Sequence, residues 1–252
     1  SQHTGEHPRM GATDVCPLIP YRGLTMDEAV SYAQKLGSRV GGELAIPVYL
    51  YEYAATKPER QSLAQVRKGK YEGMADKLKT PGWEPDYGPA ELHRQAGVTA
   101  IGARDFLIAY NINLNTMIAD KAHAVACDVR ESGRPLRDEQ GTVVKDEQGC
   151  TKRIPGALPK VRGLGWYIAD FGQAQISLNI RDIEAAPINQ VFDTVVSKAH
   201  ERGLRVTGSE VVGMVPRSVL LKAGRHYLIR QDEDPQAYTE RAIVDMAVLS
   251  LE

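Results

Sequence analysis

The most suggestive chemistry in this sequence is a single histidine set in a run of restricted backbone. Gly5, Glu6, His7, Pro8, Arg9, Met10, Gly11, Ala12, Thr13 and Asp14 follow one another directly ahead of an apolar segment. Proline limits the chain next to the imidazole, and the end of a secondary-structure element is where reactive groups are often held. An imidazole with an ordinary pKa of about 6.5 can both take and give a proton near neutrality. The chemistry this pattern allows is acid–base transfer at His7. The residue types alone equally allow a surface or capping histidine. His3 and His7 are four apart, but HTGEH contains a glycine, lacks the HExxH order and has no helix signal, so no metal site is expected.

Two further sets could hold a ligand. The loop Gly88, Pro89, Ala90, Glu91, Leu92, His93, Arg94, Gln95, Ala96 and Gly97 follows Trp83 and Tyr87. Glycine hinges, two flat aromatics and the His93–Arg94 pair suit a ring that carries a carboxylate, although an ordinary surface loop has the same composition. Arg104 is another carboxylate partner. The second set is amide-rich: Asn111, Asn113, Gln173, Gln175, Ser177 and Asn179, with Thr207 and Ser209, fall on one face of the strands read below. Neutral donors and acceptors sharing a face suit a polar heterocycle or an amino acid better than bulk water, although the residue types equally allow an ordinary hydrated sheet face. Gly163 to Gly165 (GLG) lacks the third glycine of a dinucleotide fingerprint and lies inside a strand. No Walker loop, GxSxG elbow or CxxC pair occurs.

These residues need elements to position them. Residues 14–19 read as a strand; Thr25 and Glu28 form a capping box opening a helix through Ala29, Ala33, Leu36 and Val40; residues 46–51 read as a second strand. This β-α-β piece looks like the second half of a split βαβ unit, with one edge and part of a helix face left uncovered. A long connection over 57–97, with a short helix near 62–68, follows. Period-two alternation through Phe106, Ile108, Tyr110, Ile112 and Leu114 predicts a strand, and Ile118, Ala122, Val125 and Val129 an amphipathic helix. Residues 132–156, with DEQG at Asp138–Gly141 and again at Asp146–Gly149, read as a solvated hairpin excursion. Strands at 164–171 and 173–180, a helix at 188–199 and a strand at 204–212 complete β-α-β-β-α-β, the split βαβ pattern, before two more helices at 216–228 and 238–251. The predicted class is therefore α+β, with units at 1–103 and 104–252.

Composition narrows the function classes. The 252 residues carry 31 Lys+Arg and 32 Asp+Glu, a net charge of −1 without long single-sign runs, so no nucleic-acid or membrane-surface footprint stands out. No apolar run approaches the roughly 18–20 residues of a membrane span. Three widely spaced cysteines, Cys16, Cys127 and Cys150, fit a reducing, cytoplasmic compartment. Small-molecule chemistry is the expectation that remains.

The stretches GEHPRMGATDVCPLIP, PVYLYEYAA, GARDFLIAYNINL, GWYIADFGQAQISLNI and VTGSEVVGMVP together resemble the formiminotransferase domain of glutamate formiminotransferases and bifunctional formiminotransferase cyclodeaminases. The resemblance implies two ferredoxin-like subdomains with helices on their outer faces and a folate channel between their sheets. It implies transfer of the formimino group from N-formimino-L-glutamate to N5 of tetrahydrofolate, in histidine degradation and one-carbon metabolism. His7 would be the catalytic histidine and Gly88 through Gly97 the folate-binding loop. Arg9, Asp14, Arg104, Asn111, Asn113, Gln175 and Asn179 would be substrate contacts, with Asp14 otherwise orienting the His7 ring or capping a turn. Tetrahydrofolate would be a co-substrate, no metal would be used, and the protein would be a cytoplasmic homodimer. Formyl transfer from N-formylglutamate, or folate binding without turnover, are the alternatives. Family members carry a further strand-helix-strand region ahead of GEHPR, so the first subdomain is expected to be incomplete here and the activity of the chain to depend on it.

Overall fold

The structure, a computed structural model, describes residues 9–251. Contacts divide the chain into two compact units between Asp105 and Phe106. In the first, β1 (Val15–Leu18) leads to α1 (Met26–Leu44) and β2 (Val48–Glu52). Then come the short α2 (Leu63–Val66), α3 (Lys70–Lys77) and β3 (Thr99–Ala103). The capping box forms: Thr25 N donates to Glu28 Oε2 at 2.8 Å and Glu28 N to Thr25 Oγ1 at 3.2 Å, giving two otherwise unpaired donors of the first turn their partners.

Here the structure departs from the two-strand reading. β3 lies between β1 and β2 and pairs with both in parallel, in the order β1-β3-β2. A split βαβ half would place an antiparallel strand in that position. The sheet is also covered on both faces. Leu50, Val48 and Ile101 pack against Ala33, Val30, Leu36 and Val40 of α1, while Tyr49, Tyr51 and Ala100 pack against Met10, Val66, Met74 and Leu78. Parallel strands buried on both sides show no polar alternation, which is why TAIGA carried no strand signal and α3 no visible partner. Glycine is required inside this strand, because a Cβ on Gly102 would sit 2.4 Å from Tyr51 O.

The second unit follows the predicted order. It contains β4 (Ile108–Leu114), α4 (Ala119–Val129), the two-residue β5 (Arg134–Pro135) and β6 (Arg153–Ile154), β7 (Val161–Ile168) and β8 (Gln173–Ile180). It closes with α5 (Ile188–His200), β9 (Val206–Val212), α6 (Arg217–Arg230) and α7 (Glu240–Leu251). The main sheet is antiparallel with order β7-β8-β4-β9. Ile108, Tyr110, Ile112 and Leu114 of β4, with Ala174, Ile176, Leu178 and Ile180 of β8, point into one core with Ala122, Val125 and Val129 of α4 and Val191, Val195 and Ala199 of α5. The chain leaves β7 earlier than expected, and Ala169–Phe171 form a 3₁₀ turn before Gly172. GLG proves to be a packing device: a Cβ on Gly165 would come within 2.0 Å of His123 N in α4, so the helix rests directly on the strand. In the excursion, Asp138 Oδ1 accepts from Gln140 N and Thr142 N, and Asp146 Oδ1 accepts from Gln148 N and Cys150 N, so the two DEQG segments build the same turn.

Candidate functional site

The first unit locks two sequence-distant segments together. Val98 N donates to Met10 O at 2.9 Å and Ala12 N to Ala96 O at 2.8 Å, with Gly11 bridged to Gly97. The fit requires both glycines. A Cβ on Gly11 would lie 2.2 Å from Val98 O, and Gly97 combines φ +71 with a Cβ position 2.4 Å from Met10 O. Met10 is fully buried and its N–H donates to Asp14 Oδ1 at 2.8 Å, while Asp14 Oδ2 takes the Arg67 guanidinium. Asp14 therefore caps this turn. Arg9 pairs with Glu72 at 3.0 Å and lies over the Tyr71 ring, and this bond holds the Glu72 carboxyl below its usual range. Tyr71 OH in turn donates to Arg94 O at 2.9 Å. Within the loop, His93 accepts twice, from Ala96 N at its ring Nδ1 (3.0 Å) and from Gly97 N at its carbonyl (2.7 Å).

His7 lies outside the described residues, as does His3; the junction holds Arg9 and Met10, just beyond it in the sequence. Gly88 through Glu91 form the exposed limb of the loop, and Gly97 its buried end. Arg104 is elsewhere: it follows β3, at the opposite end of the sheet from the junction, where its N–H donates to Leu18 O. It stands beside Tyr51, whose phenol burial pushes up and Arg104 pulls back down.

Trp83 and Tyr87 do not form a free aromatic pair. Trp83 packs edge-on against Tyr49 at 6.0 Å and beside Arg60 and Lys77, and Tyr87 fills the space left by Gly37 and Gly41 of α1. Behind them is a buried ion pair that no sequence pattern marks: Arg60 Nη1 lies 2.7 Å from Asp86 Oδ2, with Arg60 2% and Asp86 7% exposed. Arg60 also donates to the carbonyls of Gly82 and Glu84, and Asp86 accepts from Leu50 N. Lys77 donates to the carbonyls of Gln65, Val66 and Lys68, closing the end of α2. Burial, with Lys68 and Arg60 nearby, lowers its pKa to about 8.

In the second unit the strand registers place Asn111, Asn113, Gln173, Gln175, Ser177, Asn179 and Thr207 on the face away from α4 and α5. Ser209 is a correction. A register shift between Asn113 and Leu114 separates it from Thr207, and its hydroxyl accepts from Tyr110 OH and donates to Leu251 O on the core side. Glu210 and Trp166, absent from the sequence reading, take part in the polar face instead. Trp166 Nε1 donates to Gln175 Oε1 at 3.0 Å, and Gln175 Nε2 donates to Asn113 Oδ1 and Glu210 Oε1, each at 2.9 Å. Gln175 is fully buried, so this amide is internal to the network, while Asn179 is exposed. A cleft of about 520 Å³ lies elsewhere in this unit, along α6; it shares no residue with the polar face, and its Lys222 is paired with Glu184 at 2.8 Å.

Among the described residues no group of three or more His, Cys, Asp or Glu could hold a metal ion, and no helix is long and apolar enough to cross a membrane. Family models match nearly the whole length: the N-terminal subdomain of the formiminotransferase domain over residues 1–104 and the formiminotransferase domain over 109–252. The chain belongs to the formiminotransferase domain family.

Within that family, formimidoyltransferase-cyclodeaminase of Sus scrofa is 45% identical over 232 residues, covering 92% of this chain and 40% of the relative. Glutamate formimidoyltransferase of Streptococcus pyogenes serotype M1 is 40% identical over 234 residues, 93% of this chain and 71% of the relative. Glutamate formimidoyltransferase of Thermoplasma acidophilum is 38% identical over 228 residues, 90% of this chain and 68% of the relative. The chain thus spans about 40% of the length of the cyclodeaminase relatives. In this chain the junction joins the HPRMGA motif, at its Met10–Ala12 end, to the end of the Gly88–Gly97 loop.

Proposed function

We propose that this chain transfers the formimino group of N-formimino-L-glutamate to N5 of tetrahydrofolate, with His7 moving the protons. N5 attacks the formimino carbon, forming a C–N bond and a tetrahedral intermediate. His7 takes the proton from N5 and returns it to the departing nitrogen, so that glutamate leaves as a neutral amine and the histidine is regenerated. The observation that carries this reading is the junction of Met10–Ala12 with Ala96–Val98, because it fixes the segment following His7 against the end of the Gly88–Gly97 loop, the folate-binding segment in this proposal. Arg9, two residues after His7 in the sequence and paired with Glu72, and Arg104, following β3, are the carboxylate partners in this proposal.

The second unit, with strand order β7-β8-β4-β9, is read as a ferredoxin-like module whose polar face, carrying Asn111, Asn113 and Asn179, forms a wall of the folate channel. Tetrahydrofolate is the co-substrate, no metal takes part, and the working form is a cytoplasmic homodimer. The first unit, whose sheet is covered on both faces, contributes the junction and the loop in place of an open sheet face.

The test is an assay of the full chain with tetrahydrofolate and either formiminoglutamate or formylglutamate. Formiminoglutamate is the expected donor, and His7→Ala is expected to lose at least about tenfold in kcat, a conservative floor for general acid–base catalysis. A smaller loss removes His7 from the mechanism, preference for the formyl donor replaces the substrate, and folinic acid binding without turnover makes the chain a folate-binding module.

A further inference from the structure

The network on the polar face of the second unit has a direction that does not depend on how its amides are drawn. An indole N–H can only donate, so the 3.0 Å bond from Trp166 requires Gln175 to present its oxygen there. The nitrogen of the same amide must then face Asn113 and Glu210, and it spends its two hydrogens on Asn113 Oδ1 and Glu210 Oε1. That in turn fixes Asn113: with Oδ1 taken up as an acceptor, its Nδ2–H₂ is the free end. Glu210 keeps Oε2. Among the described residues no hydrogen bond takes up Asn113 Nδ2 or Glu210 Oε2, whereas Gln175, fully buried, has its donors and its acceptor engaged. The face therefore offers a donor of set polarity beside an anionic acceptor, both held by one buried amide within 2.9 Å of each.

We infer that Glu210 and Asn113 read the 2-amino-4-oxopyrimidine edge of the pterin ring, with Gln175 and Trp166 as positioning residues; this rests on the folate reading above. That edge carries two adjacent N–H donors, the 2-amino group and N3–H, next to the O4 acceptor. Glu210 Oε2 accepts from the N–H groups as a charge-assisted acceptor, and Asn113 Nδ2 donates to O4. An N–C–N edge with N–H donors also occurs in the formimino group of the donor substrate. The pterin is the better match, because the formimino group has no acceptor beside its N–H groups to meet Asn113.

The experiment titrates the full chain with folinic acid, and with a folate analogue lacking the 2-amino group, against Glu210→Gln and Asn113→Asp. Both replacements preserve size, and the relay dictates their orientation: the Gln175 donor draws an oxygen toward itself, so Glu210→Gln turns an amide donor outward and Asn113→Asp turns an acceptor outward. Each is expected to weaken folinic acid binding by at least about tenfold, the range of a lost charge-assisted bond. The KM for formiminoglutamate should stay within about twofold, because the pair does not touch the donor on this reading. Removing the 2-amino group should cost the unsubstituted chain about as much and cost Glu210→Gln little more, since the two changes delete one interaction. Additive losses, or folinic acid binding unchanged in either variant, overturn the assignment. A rise in KM confined to formiminoglutamate overturns it in favour of the formimino group. Failure of the unsubstituted chain to bind folinic acid at all defeats the folate reading itself, a result distinct from the others. Near-UV circular dichroism of Trp166 and Trp83 shows whether each variant keeps its fold, and if one does not, the other still decides.

Discussion

Replacing Gly11 by alanine should damage the proposed active site through the backbone alone. The added methyl would lie 2.2 Å from Val98 O and 2.5 Å from Ala96 O, where a carbon–oxygen contact needs about 3.3 Å. The two strands of the junction must move apart by roughly 1 Å, which breaks Val98 N to Met10 O and Ala12 N to Ala96 O. Two net hydrogen bonds at about 1 kcal/mol each, with part of the burial of Met10, give a destabilisation of about 2 to 4 kcal/mol. Gly42→Ala is the matched control. Gly42 lies in α1, and a Cβ added there would meet nothing within 4 Å, so alanine should stabilise by about 0.5 to 1 kcal/mol through helix propensity. Urea denaturation followed by circular dichroism measures both, and steady-state formimino transfer in the folded proteins gives the functional side. A displacement of about 1 Å at residues following His7 should reduce kcat/KM by on the order of a hundredfold. If Gly11→Ala unfolds at the same urea concentration as the unsubstituted chain and keeps kcat/KM within about twofold, the junction does not position the site.

Two other groups of the first unit give separate tests. Asp86→Ala leaves the Arg60 guanidinium, 2% exposed, without its anion, and should cost about 3 to 5 kcal/mol in urea denaturation; a loss below about 1 kcal/mol would mean that solvent reaches Arg60 freely. Lys77 predicts a pH dependence. Its folded pKa is lowered to about 8 from the ordinary 10.5, so across that interval the unfolded chain binds more protons than the folded one and stability rises with pH. Comparing urea midpoints at pH 7.5 and pH 10, the rise should be smaller in Lys77→Met than in the unsubstituted chain, and equal rises in both would remove the assignment.

What the sequence revealed depended on whether an element meets water on one side. β4 and β8 alternate core residues with Asn111, Asn113, Gln175 and Asn179, so both the strands and the composition of their polar face could be read. β3 is buried on both faces and is built of small residues, with Gly102 forced by Tyr51, so its alternation was erased along with its signal. The capping box of α1 was legible because it is a local bond between Thr25 and Glu28. The Arg60–Asp86 pair was not, because its partners meet only through the tertiary fold.

The same contrast runs through the candidate site. A one-residue slip in a strand exchanges its two faces, and the register shift beside Gly208 did so within VTGSEVV, turning Ser209 inward and Glu210 into the polar network. Period-two reasoning assigned Ser209 to the wrong face and so excluded Glu210, the carboxylate that accepts from Gln175. The junction of Met10–Ala12 with Ala96–Val98 left a fainter trace, since its bonds run between backbone groups that every residue possesses. Only Gly11 and Gly97 mark it, each required by a close approach to a carbonyl of the opposite segment. Motif resemblance named the two segments, but neither residue type nor spacing could say that they touch. The glycines are therefore where substitution separates positioning from chemistry: they carry no reactive group, and any activity lost on replacing them in a folded chain is lost through the placement of the residues around them.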